Sequence, residues 1–299
     1  MKKTINFGVL TYSNPSDRWA SSNIGDYVQS LAALNIYRKI VEEVSNVTYH
    51  IDDFVKLSLS NRVPGFNFIF IKRDNMSDLS QYHGHNNIIT IMNGWWMHPY
   101  TDNLEIDFSI PSNITPIFVS FHMANKDILL TSQFSELNKF GRIGCRDLKT
   151  TEKFKSRGLD AYFTGCLTTT IDFYTWQQEN EISYAVDTVP SKTDIFFSQM
   201  GFQWKNIPYK SGFLSALNVL QQYKKCKNVK TSRLHCFLPC LAMGVPVKFI
   251  SPDGDESIKE WNSKDRFDGL RELQDSPSSF QSLRDSLTHT CINSIKKLI

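Results

Sequence analysis

Arg233 and His235 flank Leu234 in the segment SRLHC, directly after the short run NVKT that reads as a strand. Thr231 and Ser232 suit the N-cap of a helix starting there, and the unpaired backbone N–H groups and dipole of a helix start favour negative charge. Ligands of α/β folds sit at this strand-to-helix edge. The planar fork of an arginine suits phosphate or carboxylate, and His235 can share such a site as acid, base or phosphate donor. A purely structural role for the pair stays open. Cys236 and Cys240 share a helix face beside His235, but three ligands at this spacing match no zinc pattern. They read as buried apolar cysteines, and no metal is expected. Pro239 removes the backbone donor to the His235 carbonyl, which predicts a bend or a late helix start.

A second group of chemical residues precedes these. RIGCRD delivers Arg146 and Asp147 to a strand end, and VSFHMAN delivers His122 to the same sheet edge, with a core-packed histidine as the alternative. SSNIGDYVQ places Asn23, Gly25 and Asp26 where a first strand hands over to an amphipathic helix; one glycine makes no dinucleotide fingerprint. MNGWWMHPY puts Gly94, Trp95, Trp96 and His98 on a loop after a strand. Paired aromatics there suit the apolar face of a sugar, while at least one of Trp95 and Trp96 is expected to pack in the core.

The elements that must position these residues alternate between short apolar runs and helix-length amphipathic segments, the pattern of α/β layering. Strands are predicted over 5–10, 47–51, 66–71, 88–92, 117–121, 142–145 and 161–163, and helices over 26–44, 129–140 and 148–157. FNFIFI and PIFVSF are unbroken apolar runs, as buried parallel strands are. A Rossmann-like domain over 1–175 follows, with the candidate sugar-contacting residues. The polar stretch WQQENEISYAVDTVPSK reads as a crossing into a second Rossmann-like domain over 176–299. Its predicted elements are a strand in DIFFSQ, a helix over 212–225, a strand over 228–231, a helix in RLHCFLPCLAMG, a strand in VPVKFI and a closing helix over 278–298. The expected fold class is α/β, two such halves facing a cleft.

The 299 residues carry 33 basic and 30 acidic side chains, a formal charge of +3, which argues against a nucleic-acid partner. From 195 to 252 there is no Asp or Glu but eight basic residues, Arg233 among them, so this half is expected to favour anions. A solvated lysine face accounts for Lys224, Lys225 and Lys227. Six cysteines without disulfide-framework spacing point to a reducing, cytoplasmic setting. The opening MKKTINFGVLTY reads as a first strand, and no apolar run is long enough for a membrane span. DGDES at 253–257 reads as a solvated acidic turn.

NIGDYVQSLAAL at 23–34, IGCRDLKTTEKFKSRGLDAYFTGCLTTTID at 143–172 and KTSRLHCFLPCLAMGVPVKFI at 230–250 together resemble the polysaccharide pyruvyl transferase family. The resemblance implies a GT-B-like pair of Rossmann domains that moves the enolpyruvyl unit of phosphoenolpyruvate onto two sugar hydroxyls as a cyclic ketal. It places donor contacts on Arg146, Arg233, Leu234 and His235 and a catalytic histidine on His122; by their chemistry Ser232 joins the donor contacts, His235 is a second catalytic proton relay and Arg233 a catalytic holder of the departing phosphate. Asn23, Asp26, Trp95, Trp96 and His98 are left for the acceptor. No cofactor is implied beyond the co-substrate phosphoenolpyruvate. The acceptor is a sugar of a polysaccharide or of a lipid-linked precursor, which leaves open peripheral association with the inner face of a membrane; the oligomeric state is unassigned. Cys166 stands where many members carry an acidic residue. A nucleotide-sugar glycosyltransferase of the same architecture and a non-catalytic carbohydrate-binding protein are the alternatives.

Overall fold

A computed structural model describes residues 4–12, 21–96, 110–123, 131–205, 207–251 and 267–299. The chain runs β1 (Ile5–Thr11), α1 (Ile24–Ser45), α2 (Ile51–Leu59), β2 (Phe66–Lys72), β3 (Ile88–Ile91), β4 (Gly94–Trp96), β5 (Ile114–Ile117) and β6 (Phe121–Met123). There follow α3 (Thr131–Asn138), β7 (Ile143–Cys145), α4 (Leu148–Lys155), β8 (Ala161–Phe163), β9 (Ser183–Val186), β10 (Asp194–Phe197) and α5 (Phe202–Lys205). The last elements are α6 (Tyr209–Lys225), β11 (Asn228–Thr231), α7 (Leu234–Met243), β12 (Val247–Phe249) and α8 (Pro277–Lys296). This is the α/β fold with parallel sheets that the alternating pattern predicts.

The first unit holds two four-stranded parallel ladders, β2-β1-β3-β5 and β4-β6-β7-β8. β4 continues the lane of β3, and β6 continues that of β5, with Met92 N donating to Ile117 O and Gly94 N to Ser120 O across the break. The two ladders are therefore halves of one bent sheet. Gly8 makes the centre of β1 possible: a Cβ there would lie 2.1 Å from Thr90 Oγ1 and 2.7 Å from Ile71 Cδ1. The predicted strand over 117–121 is interrupted because Ser120 has φ 56°, outside strand geometry. The predicted strand over 47–51 is absent as well. Ile51, Phe54, Val55, Ser58 and Leu59 bury one face of α2 at helical spacing, and Asp52 and Asp53 favour its N-terminal turn.

The second unit is the parallel sheet β10-β9-β11-β12. Its central β9 comes from the SYAV of the stretch read as a crossing, which is a correction to that expectation. Polar letters around SYAV hid a strand whose Ser183, Ala185 and Val186 are buried. α7 begins at Leu234 and holds Pro239 inside it; the His235 carbonyl that the proline cannot reach accepts from Gln199 Nε2 at 3.4 Å. α8 returns to the first unit, where Leu287, Cys291 and Ile295 enter the same apolar cluster as β1 and α1, and Lys296 pairs with Glu43 at 2.5 Å.

α1 is the common wall of both units. Every residue from Ile24 to Tyr37 is buried, because β1 lies on one side and α6, α7 and α8 on others. Gly212 of α6 lies against the Tyr27 ring so closely that a Cβ would be 2.4 Å from Cζ. One apolar cluster consequently runs from Phe7 through Tyr27 and Phe213 to Val186 and Val229. Burial of about 25 cal/mol per Å2 of apolar surface is the main stabilising term for such a core.

Candidate active site

β6 and β7 end side by side, and their ends carry the first group of chemical residues. Arg146 N donates to Phe121 O at 2.9 Å, fixing Arg146 beside His122. His122 Nδ1 lies 2.6 Å from Asp147 Oδ2 and 2.9 Å from Thr150 Oγ1. Asp147 is the N-cap of α4 and accepts from Thr150 N at 2.8 Å, so the helix start holds the carboxylate that orients the imidazole. Burial alone would raise the Asp147 carboxyl. The charge and hydrogen bond of His122, the charge of Arg146 and the Thr150 N–H outweigh it and hold the group at about 2. An ionised carboxylate only accepts, so Nδ1 carries the hydrogen of the neutral imidazole. The Arg146 side chain is buried, 3.7 Å from Asp147 Oδ2 through Nε, and that Nε makes no hydrogen bond. Asp147 is thus the anionic neighbour of this buried cation, at ion-pair distance but without a hydrogen bond to Nε.

The second group sits where β11 gives way to α7. Arg233 is the N-cap, its backbone N donating to Thr231 Oγ1 at 2.9 Å and its Nε to Asp187 Oδ2 at 2.8 Å. Ser232 Oγ donates to the Asp187 carbonyl at 2.6 Å. His235 is nine-tenths buried in the first turn of α7. Leu234 is core: its side chain joins Cys166, Phe237, Leu238 and Phe249 in a second apolar cluster. Any contact it makes with a donor is therefore through its backbone.

The start of α1 lies between the two groups. A Cβ on Gly25 would be 3.0 Å from His235 Cβ, and one on Gly94 would be 3.5 Å from Gln29 Oε1. Gly94 in turn pairs with Phe121, and Trp95 with His122, in the β4–β6 register. Asn23 and Asp26 are thus near the site, but both are engaged. Asn23 Oδ1 accepts from Gly25 N at 2.9 Å, while Asp26 accepts from Ser21 Oγ at 2.5 Å and Gln29 Nε2 at 3.1 Å.

The polysaccharide pyruvyl transferase profile matches residues 23–254 of the chain, from the cap of α1 past β12. The chain belongs to the polysaccharide pyruvyl transferase family. No curated protein matches it. For a member of this family the acceptor is a sugar, and the matched stretch includes both groups of residues described above.

Two expectations need correcting in this family setting. Trp96 does not present a ring to a sugar: it is 4% exposed and stacked on Phe121 with centroids 5.7 Å apart. The ring belongs to the apolar cluster on the β4–β6 strand pair and not to a binding loop. His98 and the acidic turn at 253–257 lie outside the described residues. The acid-free window is also less cationic in space than along the chain. Lys225 pairs with Glu179, Lys227 with Glu181, Lys230 with Asp194 and Arg233 with Asp187, all acids from just before the window.

The sequence marks Asp147 only as a strand-end residue and carries no local sign of Asp187, Gln199, Gln29 or Asn93. Asn93 Nδ2 donates to Gln29 O, and Oδ1 of Asn93 and Oε1 of Gln29 are buried without hydrogen bonds. Among the described residues no group of three His, Cys, Asp or Glu side chains is placed to hold a metal ion, and no helix is long and apolar enough to cross a membrane.

Proposed function

We propose that this pyruvyl transferase uses phosphoenolpyruvate as donor and closes a ketal on two hydroxyls of one sugar. The observation that carries the reading is the oriented His122–Asp147 pair beside the buried Arg146, a proton-transfer group next to a cation without its own hydrogen-bonded anion. The donor has a phosphate and a carboxylate, and Arg146 and Arg233 are the groups suited to receive them. In the first step His122 delivers a proton to the donor methylene carbon, making a methyl group and leaving C2 electron-poor. A sugar hydroxyl oxygen bonds to C2, the C2–O bond to phosphate breaks, and the second hydroxyl closes the ring. Of the two hydroxyl protons, one replaces the proton given to carbon and the other leaves with the phosphate. His235, on the opposite side of the α1 start, serves as the second proton relay. The arginines stabilise the charge that collects on the departing phosphate.

A cytoplasmic enzyme acting on a polysaccharide or a lipid-linked precursor at the inner membrane face fits this chemistry, which asks for no cofactor. A nucleotide sugar is an anion as well, so the test compares both donors. In a thermal-shift titration phosphoenolpyruvate at about 100 times its Kd should add roughly 2.7 kcal/mol of stability, and release of inorganic phosphate should depend on a sugar acceptor. Stabilisation by a nucleotide sugar and none by phosphoenolpyruvate would reverse the donor assignment.

A further inference from the structure

We propose that Asp187 is the positioning residue of the donor site, aiming the Arg233 guanidinium; this rests on the reading of Arg233 as a donor contact. Asp187 follows β9 with φ 51°, a turn that lifts its side chain out of strand geometry. Its backbone N donates to Phe197 O at 3.0 Å, and its carbonyl accepts from Ser232 Oγ at 2.6 Å. Its carboxylate accepts from Ser198 Oγ at 2.5 Å through Oδ1, and from Gln199 N at 3.0 Å and Arg233 Nε at 2.8 Å through Oδ2. The carboxylate is therefore set by β9, β10 and β11 before the arginine meets it.

Arg233 keeps about a third of its side chain exposed. Asp187 takes only its Nε, so the two Nη groups remain as a fork for phosphate or carboxylate. A carboxylate beside the arginine lowers the net positive charge a donor meets, which a purely electrostatic anion site would avoid. What the pair supplies instead is direction: a long flexible side chain is held in its binding geometry, which spares the ordering cost on ligand binding. The same carboxylate reaches the first unit. Gln199, whose N–H it accepts, takes the Ile24 N–H on its own carbonyl at 2.9 Å, and Gly201 N donates to Ser22 O. Arg233 and the cap of α1 are thereby registered on one group.

The test is calorimetric titration of phosphoenolpyruvate into wild type, Asp187→Ala, Asp187→Asn, Asp187→Glu, Arg233→Ala and the alanine double variant, each first shown folded by its melting curve. Asp187→Ala should weaken binding about tenfold or more, the scale of one charge-assisted hydrogen bond. Asp187→Asn should stay within about threefold of wild type, because the amide oxygen still accepts from Nε and Gln199 N. Asp187→Glu keeps the charge and an acceptor for Ser198 but moves it outward, and should bind more weakly than Asp187→Asn; it carries the test if the alanine variant does not fold. On an Arg233→Ala background the Asp187 change should add little. Losses that multiply in the double variant, or Asp187→Glu binding better than Asp187→Asn, overturn the positioning role alone. An Arg233→Ala protein that binds phosphoenolpyruvate as wild type does overturns the donor-site reading and this role with it.

Discussion

Asp147 caps α4 with one carboxylate oxygen and holds His122 Nδ1 at 2.6 Å with the other. The same residue thus starts a helix and fixes a tautomer. Asp147→Asn should leave the helix start nearly intact, since asparagine caps as well as aspartate. It should present the wrong partner to Nδ1 and lower turnover by roughly 100-fold or more, with phosphoenolpyruvate affinity much less affected. Steady-state phosphate release beside donor titration checks this; an equal loss in both would make the aspartate a binding residue.

Acid stability should report the same carboxylate. Its folded value of about 2 lies below the ordinary carboxylate value. Its contribution is therefore fully present above about pH 4 and is lost as pH falls toward 2. The amount is about 2 kcal/mol. Chemical denaturation at pH 6 and pH 2.5 should show a larger acid-induced loss in wild type than in Asp147→Asn.

Trp96→Ala should act on folding. Removing a ring stacked on Phe121 inside the core costs about 3–5 kcal/mol. The melting temperature should fall markedly, while the acceptor KM of the protein that remains folded stays unchanged. A selective rise in acceptor KM without a change in melting would return Trp96 to the binding surface.

All six cysteines are free and buried. Burial pushes the thiols of Cys145, Cys226 and Cys291 up to about 12. At pH 8 the native protein should therefore react with an aromatic disulfide reagent at none of them, and at six in denaturant. A fast-reacting thiol in the native state would mark a local opening.

Much of this was legible in the chain, and the parts that were not share a cause. The start of α7 at Arg233–Leu234, the strand Asn228–Thr231 and the strand end at Arg146 are local matters of apolar runs, and they appear as read; the cap of α7 does not, since Arg233 occupies it without a side-chain cap bond while Thr231 and Ser232 bond elsewhere. Asp187 was invisible because its partner is 46 residues away, the spacing that also joins Lys227 to Glu181. That spacing is set by the parallel pairing of β9 with β11, Ser183 opposite Asn228 and Val186 opposite Thr231. A charge count along the chain cannot see a neighbouring strand, and so the lysine-rich window looked more cationic than it is. Trp96 failed for a related reason: a strand-end loop and a short continuation strand have the same letters until the neighbouring strand is known.

The position of α1 has a consequence for how the chain is made. Ribosomes add about 5–20 residues per second, and α6 at Tyr209–Lys225 is synthesised long after α1 ends at Ser45. For roughly ten to thirty seconds at that rate, the face that Tyr27 will close against Gly212 and Phe213 has nothing to cover it. α8, which covers another part of the same helix, arrives later still. The nascent first unit is thus an incomplete object that waits for the second half before its central helix is shielded. Yield in a cell should then follow translation speed and the supply of holding chaperones more closely than it follows the equilibrium stability of the finished protein.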